Sequence, residues 1–142
     1  MYAENLRNFF IIKIIPMLNP DGVIHGHYRT SLLGDDLNRR WDHPDKQLHP
    51  EIFSLKKVMN DTEYKKALYL DLHGHSKKKS SFIYGCYNPE NPHLCKEFPF
   101  VLSKKGHHFN YFNCNFSTPV NRSGTSRITA WKELGIDHSY TF

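Results

Sequence analysis

The sequence predicts an α/β fold with three layers, α/β/α, built around a mixed, mostly parallel sheet. Two observations indicate this class. Strand-like and helix-like patterns alternate along the chain, which is typical of parallel strands joined by helices. Residues 9–15 also form an apolar run that is rich in β-branched side chains, as expected for a parallel strand buried on both faces. The chain has no internal repeats, no low-complexity segment and no interdomain linker.

The first predicted strand is followed by a long loop over residues 17–48, and a loop of this length in a compact domain usually carries function. A helix is predicted next. Pro50 suits its first turn, and Ile52, Leu55 and Met59 form an apolar stripe at helical spacing.

The middle of the chain predicts two short strands and one helix. Residues 67–72 are typical of a short buried strand, and residues 82–86 of another. Residues 98–104 predict a helix that ends near Gly106. The aromatic and Asn-rich residues 109–116 indicate no particular element.

The last part of the chain predicts a helix and then a strand. Ile128, Trp131 and Leu134 recur at helical spacing, and Gly135 is a typical residue at which a helix stops. Residues 139–142 are expected to begin a final strand.

Composition limits the possible classes of protein. The three cysteines are odd in number and show no Cys-x-x-Cys spacing, which disfavours a disulfide scaffold and fits a reducing, cytoplasmic compartment. No apolar segment approaches the roughly 20 residues that a membrane span needs, so we expect no membrane association. The formal net charge of +5 favours acidic partners in general. The sequence lacks a Gly-rich phosphate loop, and its only cationic run, residues 77–79, is typical of a solvated loop.

Arginine and asparagine side chains are concentrated in the segment after the first predicted strand. Arg29, Asn38 and Arg39 follow the Asn-Pro-Asp-Gly sequence at residues 19–22, which by itself is typical of an ordinary turn. A guanidinium group matches a carboxylate in bidentate fashion, and an amide adds a neutral donor. The segment is therefore a candidate binding site for a carboxylate.

His73 stands at the end of the strand predicted for residues 67–72, where a polar loop begins. A neutral imidazole at such a position is a good zinc ligand, because the strand fixes it and the loop leaves room for other ligands. Gly74 allows a sharp turn beside it. The chain has ten histidines, and most of them are expected to be structural or merely exposed.

Together these segments resemble the zinc metallocarboxypeptidases, and within them the cytosolic carboxypeptidase branch that trims glutamates from protein tails. The similarity runs over nearly the whole chain in family order. Its matching sequences are Asn-Pro-Asp-Gly-Val at residues 19–23, Tyr-Arg at 28–29, Asp-Leu-Asn-Arg at 36–39, Asp-Leu-His-Gly-His-Ser at 71–76, Phe-Ile-Tyr-Gly-Cys at 82–86, Gly-Thr-Ser-Arg at 124–127 and Ser-Tyr-Thr at 139–141.

The resemblance implies that residues 1–142 are part of a catalytic domain that is truncated at both ends. In the family, a His-x-x-Glu-type motif upstream of Asn-Pro-Asp-Gly supplies two zinc ligands, and the general-base glutamate follows the Ser-Tyr-Thr segment. His73 is then expected to be the third ligand of a Zn²⁺ ion. On this interpretation the other two ligands and the base lie outside the chain, and independent catalysis by it is doubtful.

The resemblance also implies roles for individual side chains. Arg29 matches the arginine that stabilises the oxyanion of the tetrahedral intermediate, and Asn38 with Arg39 matches the pair that grips the substrate's C-terminal carboxylate. Arg127 is expected to select a terminal glutamate or aspartate, and Arg122 is the alternative residue for this role. Asp71 is either an orienting neighbour of the metal site or a turn residue. The family's substrate-capping tyrosine has no clear counterpart; the nearest aromatic residues before Ser123 are Phe112 and Phe116, and Tyr111 matches only distantly.

The expected function is therefore zinc-dependent removal of C-terminal residues, chiefly glutamate, from proteins. The expected partners are acidic protein tails such as tubulin-like tails, and neither nucleic acid nor a membrane. Two alternatives stay open: a non-catalytic module that binds acidic tails through its arginines, and a related zinc amidohydrolase that acts on a small N-acyl amino acid.

Overall fold

The computed structural model describes residues 2–61 and 63–142. The helices in these residues are α1 (Tyr2–Phe9), α2 (Pro20–His25), α3 (Pro50–Asn60), α4 (Leu94–Lys105) and α5 (Ser126–Leu134), and the strands are β1 (Tyr69–Asp71) and β2 (Ser139–Thr141). Short 3-10 turns occupy Leu37–Arg39, Tyr111–Asn113 and Val120–Arg122. None of the described helices combines the length and apolar character that crossing a bilayer requires.

The sheet is mixed. Strands β1 and β2 are parallel neighbours, with Tyr69 opposite Ser139. Residues 81–86 extend the sheet beyond β2: the Tyr84 N–H donates to the Thr141 carbonyl at 2.8 Å, and Thr141 returns the bond at 3.0 Å in antiparallel pairing. On its other side Tyr84 pairs in parallel with Asn115. Parallel pairs thus flank one antiparallel pair, as the predicted mixed sheet requires.

Helices cover both faces of β2. Consecutive residues of a strand point to opposite faces. The Ser139 hydroxyl donates to the Arg127 carbonyl in α5 at 2.7 Å, whereas the Tyr140 ring stacks on Phe98 of α4 with centroids 5.4 Å apart. Helices α5 and α4 therefore lie on opposite sides of the sheet, and the predicted three-layer α/β class is confirmed.

Helix α3 packs its predicted apolar stripe against the segment that carries the candidate arginines. Leu37, Trp41 and Ile52 form one buried cluster, and Leu55 and Met59 pack against it. Burying a side chain of this size stabilises a fold by roughly 1.5–3 kcal/mol. The short turn at Leu37–Arg39 is therefore held in place by the core beside it.

The two later helices follow their sequence signals. Helix α4 begins at Leu94, four residues before the predicted start, and ends as predicted beside Gly106. Helix α5 ends at Leu134, and Gly135 caps it with a φ of 63°, a left-handed conformation that most other residues adopt only with strain. Ile136 after the cap is buried.

The strand predicted for residues 9–15 is wrong. Residue 9 ends α1, and residues 10–15 belong to no helix or strand, with Ile14 80% and Ile11 64% exposed. β-branched side chains favour a pleated surface that packs against neighbours, and they do not create a strand by themselves. Among the described residues, no strand pairs with this segment.

The loop predicted for residues 17–48 is also wrong as an unbroken loop. Asn19 caps the N-terminus of α2: its Oδ1 accepts from the Gly22 N–H at 3.1 Å, and Pro20 occupies the first turn. Asn19 Nδ2 also donates to the Thr30 carbonyl at 3.0 Å. Asn-Pro-Asp-Gly is thus a capped helix start rather than an ordinary turn.

The two middle strands need smaller corrections. The strand predicted for residues 67–72 is observed at Tyr69–Asp71, but it is not fully buried, since Leu70 is 40% exposed. Residues 82–86 are extended and make isolated bridges rather than a continuous strand. Gly85 lies so close to Phe116 that a Cβ atom there would be 2.6 Å from the ring, which explains a glycine at this crossing.

Candidate active site

A cleft of about 590 Å³ opens where β1 and β2 end and α5 begins. All five predicted site residues line it: Arg29, Asn38, Arg39, His73 and Arg127. They come from four separate segments of the chain, and the sheet and its helices bring them together. The carboxyl end of parallel strands is a usual place for a ligand site in α/β proteins.

Asp36 organises the segment that carries Asn38 and Arg39. Its Oδ1 accepts from the Asn38 N–H at 3.0 Å and so caps the 3-10 turn. Its Oδ2 accepts from Arg29 Nε at 2.6 Å and lies 3.9 Å from Arg39 Nη1. Because the buried Leu37 anchors the same turn, the backbone that carries Asn38 and Arg39 is held in place.

His73 is fixed by backbone and side-chain contacts. Its N–H donates to the Phe142 carbonyl at 2.8 Å, continuing the pairing of β1 with β2. Its Nδ1 lies 2.9 Å from Asp71 Oδ1, and its Nε2 lies 3.2 Å from Asn38 Nδ2. The hydrogen bond with Asp71 raises the pKa of His73 above its usual value, and partial burial opposes this shift.

The tautomer of neutral His73 follows from these contacts. A carboxylate accepts, so Nδ1 carries the proton, and the Asn38 amide donates to a lone pair on Nε2. An imidazole that is unprotonated on one nitrogen and donates to a carboxylate from the other is the usual form of a metal-binding histidine. Among residues 2–61 and 63–142, however, no three His, Cys, Asp or Glu side chains cluster as a metal site. His73 fits zinc as one ligand of a larger set.

Arg127 is a buried cation. It is the second residue of α5 and is only 6% exposed, with Nη1 donating to the Gly85 carbonyl and lying 3.7 Å from Cys86 Sγ. Its guanidinium carbon lies 6.0 Å from the centre of the Tyr84 ring. Burial lowers the pKa of Arg127, and burial raises the pKa of the Cys86 thiol to about 11. Within the described part of the chain, no carboxylate forms an ion pair with Arg127.

The cleft is strongly cationic. The lining residues include six basic side chains and, as far as the structure describes the chain, no Asp or Glu: Arg29, Arg39, Lys78, Lys79, Arg122 and Arg127. Burial lowers the pKa of Arg39, and repulsion from Arg122 and Arg29 lowers it further. Arginine stays protonated in proteins despite such shifts. A cleft lined by one sign of charge concentrates ligands of the opposite sign.

Some residues that line the cleft were not among the predicted site residues. Tyr84 and Phe82 both line the cleft, whereas Ile83 between them is fully buried. The alternation of a strand predicts this arrangement, so the signal was present in the sequence. His75 also lines the cleft; its Nδ1 accepts from the N–H groups of Lys77 and Lys78, at 3.2 and 3.1 Å.

The candidates for a capping aromatic residue lie elsewhere. Tyr111, Phe112 and Phe116 are absent from the cleft lining, and Phe112 is 97% exposed. Tyr28, at 91% exposure, stands on the rim next to Arg29.

The zinc carboxypeptidase family model matches residues 2–142. The chain belongs to the zinc carboxypeptidase family. It is 40% identical to cytosolic carboxypeptidase 1 of Xenopus laevis over 98% of the chain, and 43% identical to cytosolic carboxypeptidase 2 of Mus musculus over the same share. The chain spans 13% and 17% of the lengths of these two relatives.

Solved structures show the same fold. A metallo-carboxypeptidase from Pseudomonas aeruginosa, in complex with (2-guanidinoethylmercapto)succinic acid, matches with a TM-score of 0.78 and 28% identity, over 89% of this chain and 35% of that one. One from Burkholderia cenocepacia gives a TM-score of 0.79 at 22% identity, over 90% of this chain and 34% of that one, and supports the fold alone. The predicted membership in the zinc metallocarboxypeptidases and the predicted α/β fold are confirmed.

Proposed function

We propose that residues 1–142 are part of the catalytic domain of a zinc-dependent carboxypeptidase that removes acidic residues, chiefly glutamate, from protein C-termini. The observation that carries the proposal is the cleft itself. It joins a candidate metal ligand to six basic side chains, and no described acidic residue lines it. Family membership supports the hydrolase and its zinc, and the charge of the cleft supports an acidic substrate.

His73 is the residue of this chain that would hold the zinc, through Nε2. When bound, the zinc polarises the scissile carbonyl and lowers the pKa of a water molecule. Asp71 keeps the Nδ1 proton in place and thus keeps the Nε2 lone pair available. Two further ligands and a general-base glutamate would come from parts of the full-length protein other than the described residues, which contain no three-residue metal cluster.

Asn38 and Arg39 would bind the free carboxylate of the last residue. Arg39 is partly exposed to the cleft, and its Nη1 hydrogen bond to the Asn38 carbonyl, at 2.7 Å, leaves other donors available. An internal peptide bond has no carboxylate to offer, so it would leave this charge unpaired. The clamp therefore makes the reaction proceed from the chain end.

Arg29 would stabilise the oxyanion of the tetrahedral intermediate. Its Nε is bonded to Asp36 at 2.6 Å, which orients the guanidinium and leaves its two terminal nitrogens without a hydrogen bond to any described residue. A permanent positive charge that is already oriented needs no reorganisation when negative charge develops on the substrate.

Arg127 would select the acidic side chain. A buried charge without a counter-charge is costly, and an incoming carboxylate would supply the missing partner. Arg122 lines the same cleft but is exposed, so solvent already compensates its charge. The buried position of Arg127 supports the choice of Arg127 over Arg122.

The substrates would be acidic protein tails, of which tubulin-like tails are one kind. Lys78, Lys79 and Arg122 at the cleft would attract the acidic residues that precede the terminal one. The matched relatives are named cytosolic carboxypeptidases, which supports a cytoplasmic location.

The test uses the full-length protein with zinc and a peptide that ends in several glutamates. Mass spectrometry should show the successive loss of single glutamates from the free peptide and none from its C-terminal amide. Removal of zinc by a chelator or the substitution His73→Ala should abolish the reaction. Cleavage inside the peptide, or equal cleavage of the amide, would contradict the proposed exo-reaction.

A second candidate function is a non-catalytic module that binds acidic tails. The absence of a three-ligand metal cluster among the described residues favours it. A non-catalytic module would bind the acidic peptide tightly and release no glutamate in the same experiment. Release of the acid from a small N-acyl glutamate, with the longer peptide left intact, would instead indicate the amidohydrolase.

A further inference from the structure

One carboxylate at the end of β1 contacts three side chains of the cleft region. Asp71 Oδ1 pairs with His73 Nδ1 at 2.9 Å. Asp71 Oδ2 accepts from the Ser126 hydroxyl at 2.7 Å and from Asn38 Nδ2 at 3.3 Å. Both oxygens of the carboxylate are therefore used, and its side chain is only 15% exposed.

Ser126 connects this carboxylate to helix α5. It is the first residue of the helix and is 2% exposed. Its hydroxyl donates to Asp71, and its backbone N–H donates to Asn38 Oδ1 at 2.9 Å. The first N–H groups of a helix have no partner within the helix, so the Asn38 amide satisfies one of them.

These contacts determine how the Asn38 amide is oriented. Oδ1 must face the Ser126 N–H, because that group can only donate, and Nδ2 must then face Asp71 and His73. A flipped amide would place donor against donor at Ser126. The same orientation requires a lone pair on His73 Nε2, which agrees with the proton that Asp71 holds on Nδ1.

We propose that Asp71 and Ser126 are positioning residues, which hold His73, Asn38 and the first turn of α5 in one hydrogen-bond network. The network itself is independent of the proposed function; only its purpose, to position a metal ligand and a substrate clamp, rests on that function. The network fixes the relative positions of the metal ligand His73, the clamp residue Asn38 and the helix that carries Arg127. A metal at Nε2 would replace the Asn38 contact there, and Asp71 would remain the partner of the amide.

The first part of the test is nuclear magnetic resonance on the 142-residue chain, without metal or substrate. At a pH where His73 is neutral, its ring nitrogens should report a proton on Nδ1, and Asp71→Asn should abolish this preference. Ser126→Ala should retain the His73 tautomer but shift the Asn38 side-chain amide signals. A wild-type ring with its proton on Nε2 would overturn the proposal without the need for any variant.

The second part measures binding in the full-length protein with zinc. Loss of a residue that orients a metal ligand typically costs roughly 10- to 100-fold in metal affinity or activity. Asp71→Asn should therefore weaken both zinc and peptide binding by such a factor. Ser126→Ala should weaken binding of the free peptide, with a rise in KM larger than any fall in kcat, and should leave zinc affinity nearly unchanged.

Thr129→Val is the matched control. Thr129 is buried in the same helix, 3% exposed, and its hydroxyl has no hydrogen-bond partner, so the substitution removes a hydroxyl without breaking the network. Equal effects of Ser126→Ala and Thr129→Val on the Asn38 signals and on peptide binding would overturn the proposal. If the wild-type protein releases no glutamate, the proposed function fails, while the resonance data on His73 and Asn38 still decide the role of Asp71 and Ser126.

Discussion

Replacing Arg127 with isoleucine should change the preference of the protein for the last side chain of its substrate. Arg127 is 6% exposed, its guanidinium donates to the Gly85 carbonyl, and no described carboxylate forms an ion pair with it. A bound glutamate side chain would supply the missing negative charge and accept hydrogen bonds from the remaining guanidinium donors. Isoleucine offers neither charge nor donor, so the site would become apolar at the same position.

The size of the effect follows from the burial of Arg127. A hydrogen bond to a charged group is worth roughly 1.5–3 kcal/mol, so the ratio of kcat/KM for glutamate over glutamine at the chain end should fall by about one to two orders of magnitude. Arg127→Lys should retain part of the preference, because it keeps the charge and loses the planar pair of donors.

The assay is a competition in the full-length protein between two free peptides that differ only in a terminal glutamate or glutamine. Arg122→Ile is the matched control: it removes an arginine that lines the same cleft but is exposed, and we expect a much smaller change in the ratio. An unchanged ratio in Arg127→Ile would refute the assignment. A large change in Arg122→Ile alone would transfer the role to Arg122.

Three further predictions concern the clamp, the metal and the loop beside them. Arg39→Ala should weaken binding of peptides with a free C-terminus far more than of their amides; equal losses would contradict the clamp. Calorimetry should show only weak zinc binding by the 142-residue chain; tight binding that His73→Ala abolishes would indicate a local second ligand such as His75. Hydrogen bonds from Arg40 and His49 lower the pKa of Asp35 below 3.8, so the stability that Asp35 adds should persist above that pH and disappear below it. The test compares the free energies of unfolding of wild type and Asp35→Asn at pH values above and below 3.8. A difference between the two proteins that does not change with pH would contradict the prediction.

The elements that the sequence predicted correctly have local signals. The stripe from Ile52 to Met59 and the glycine stop at residue 135 each depend on near neighbours in the chain, and both helices form where expected. The apolar run at residues 9–15 carries an equally strong signal, yet a strand needs a partner, and no described strand supplies one. The strand prediction fails because pairing depends on a long-range partner, and local sequence patterns do not show whether such a partner is present.

The site was predictable by residue type more than by geometry. The family resemblance named His73, Arg29, Asn38, Arg39 and Arg127, and the structure brings all five to one cleft, although their roles stay predictions. The network through Ser126 could not be read from the sequence, because Ser126 lies 55 positions from Asp71 and 88 from Asn38. Only the packing of α5 beside β1 makes those contacts visible.

The central claim is that this cleft is the substrate site of a zinc enzyme in which His73 binds the metal. Its most direct test is a crystal structure of the full-length protein with zinc and a peptide ending in glutamate, with the metal located by its anomalous scattering. The account predicts zinc bonded to His73 Nε2, the terminal carboxylate on Asn38 and Arg39, and the glutamate side chain on Arg127. Zinc bound elsewhere, with His73 bonded only to Asp71 and Asn38, would contradict it.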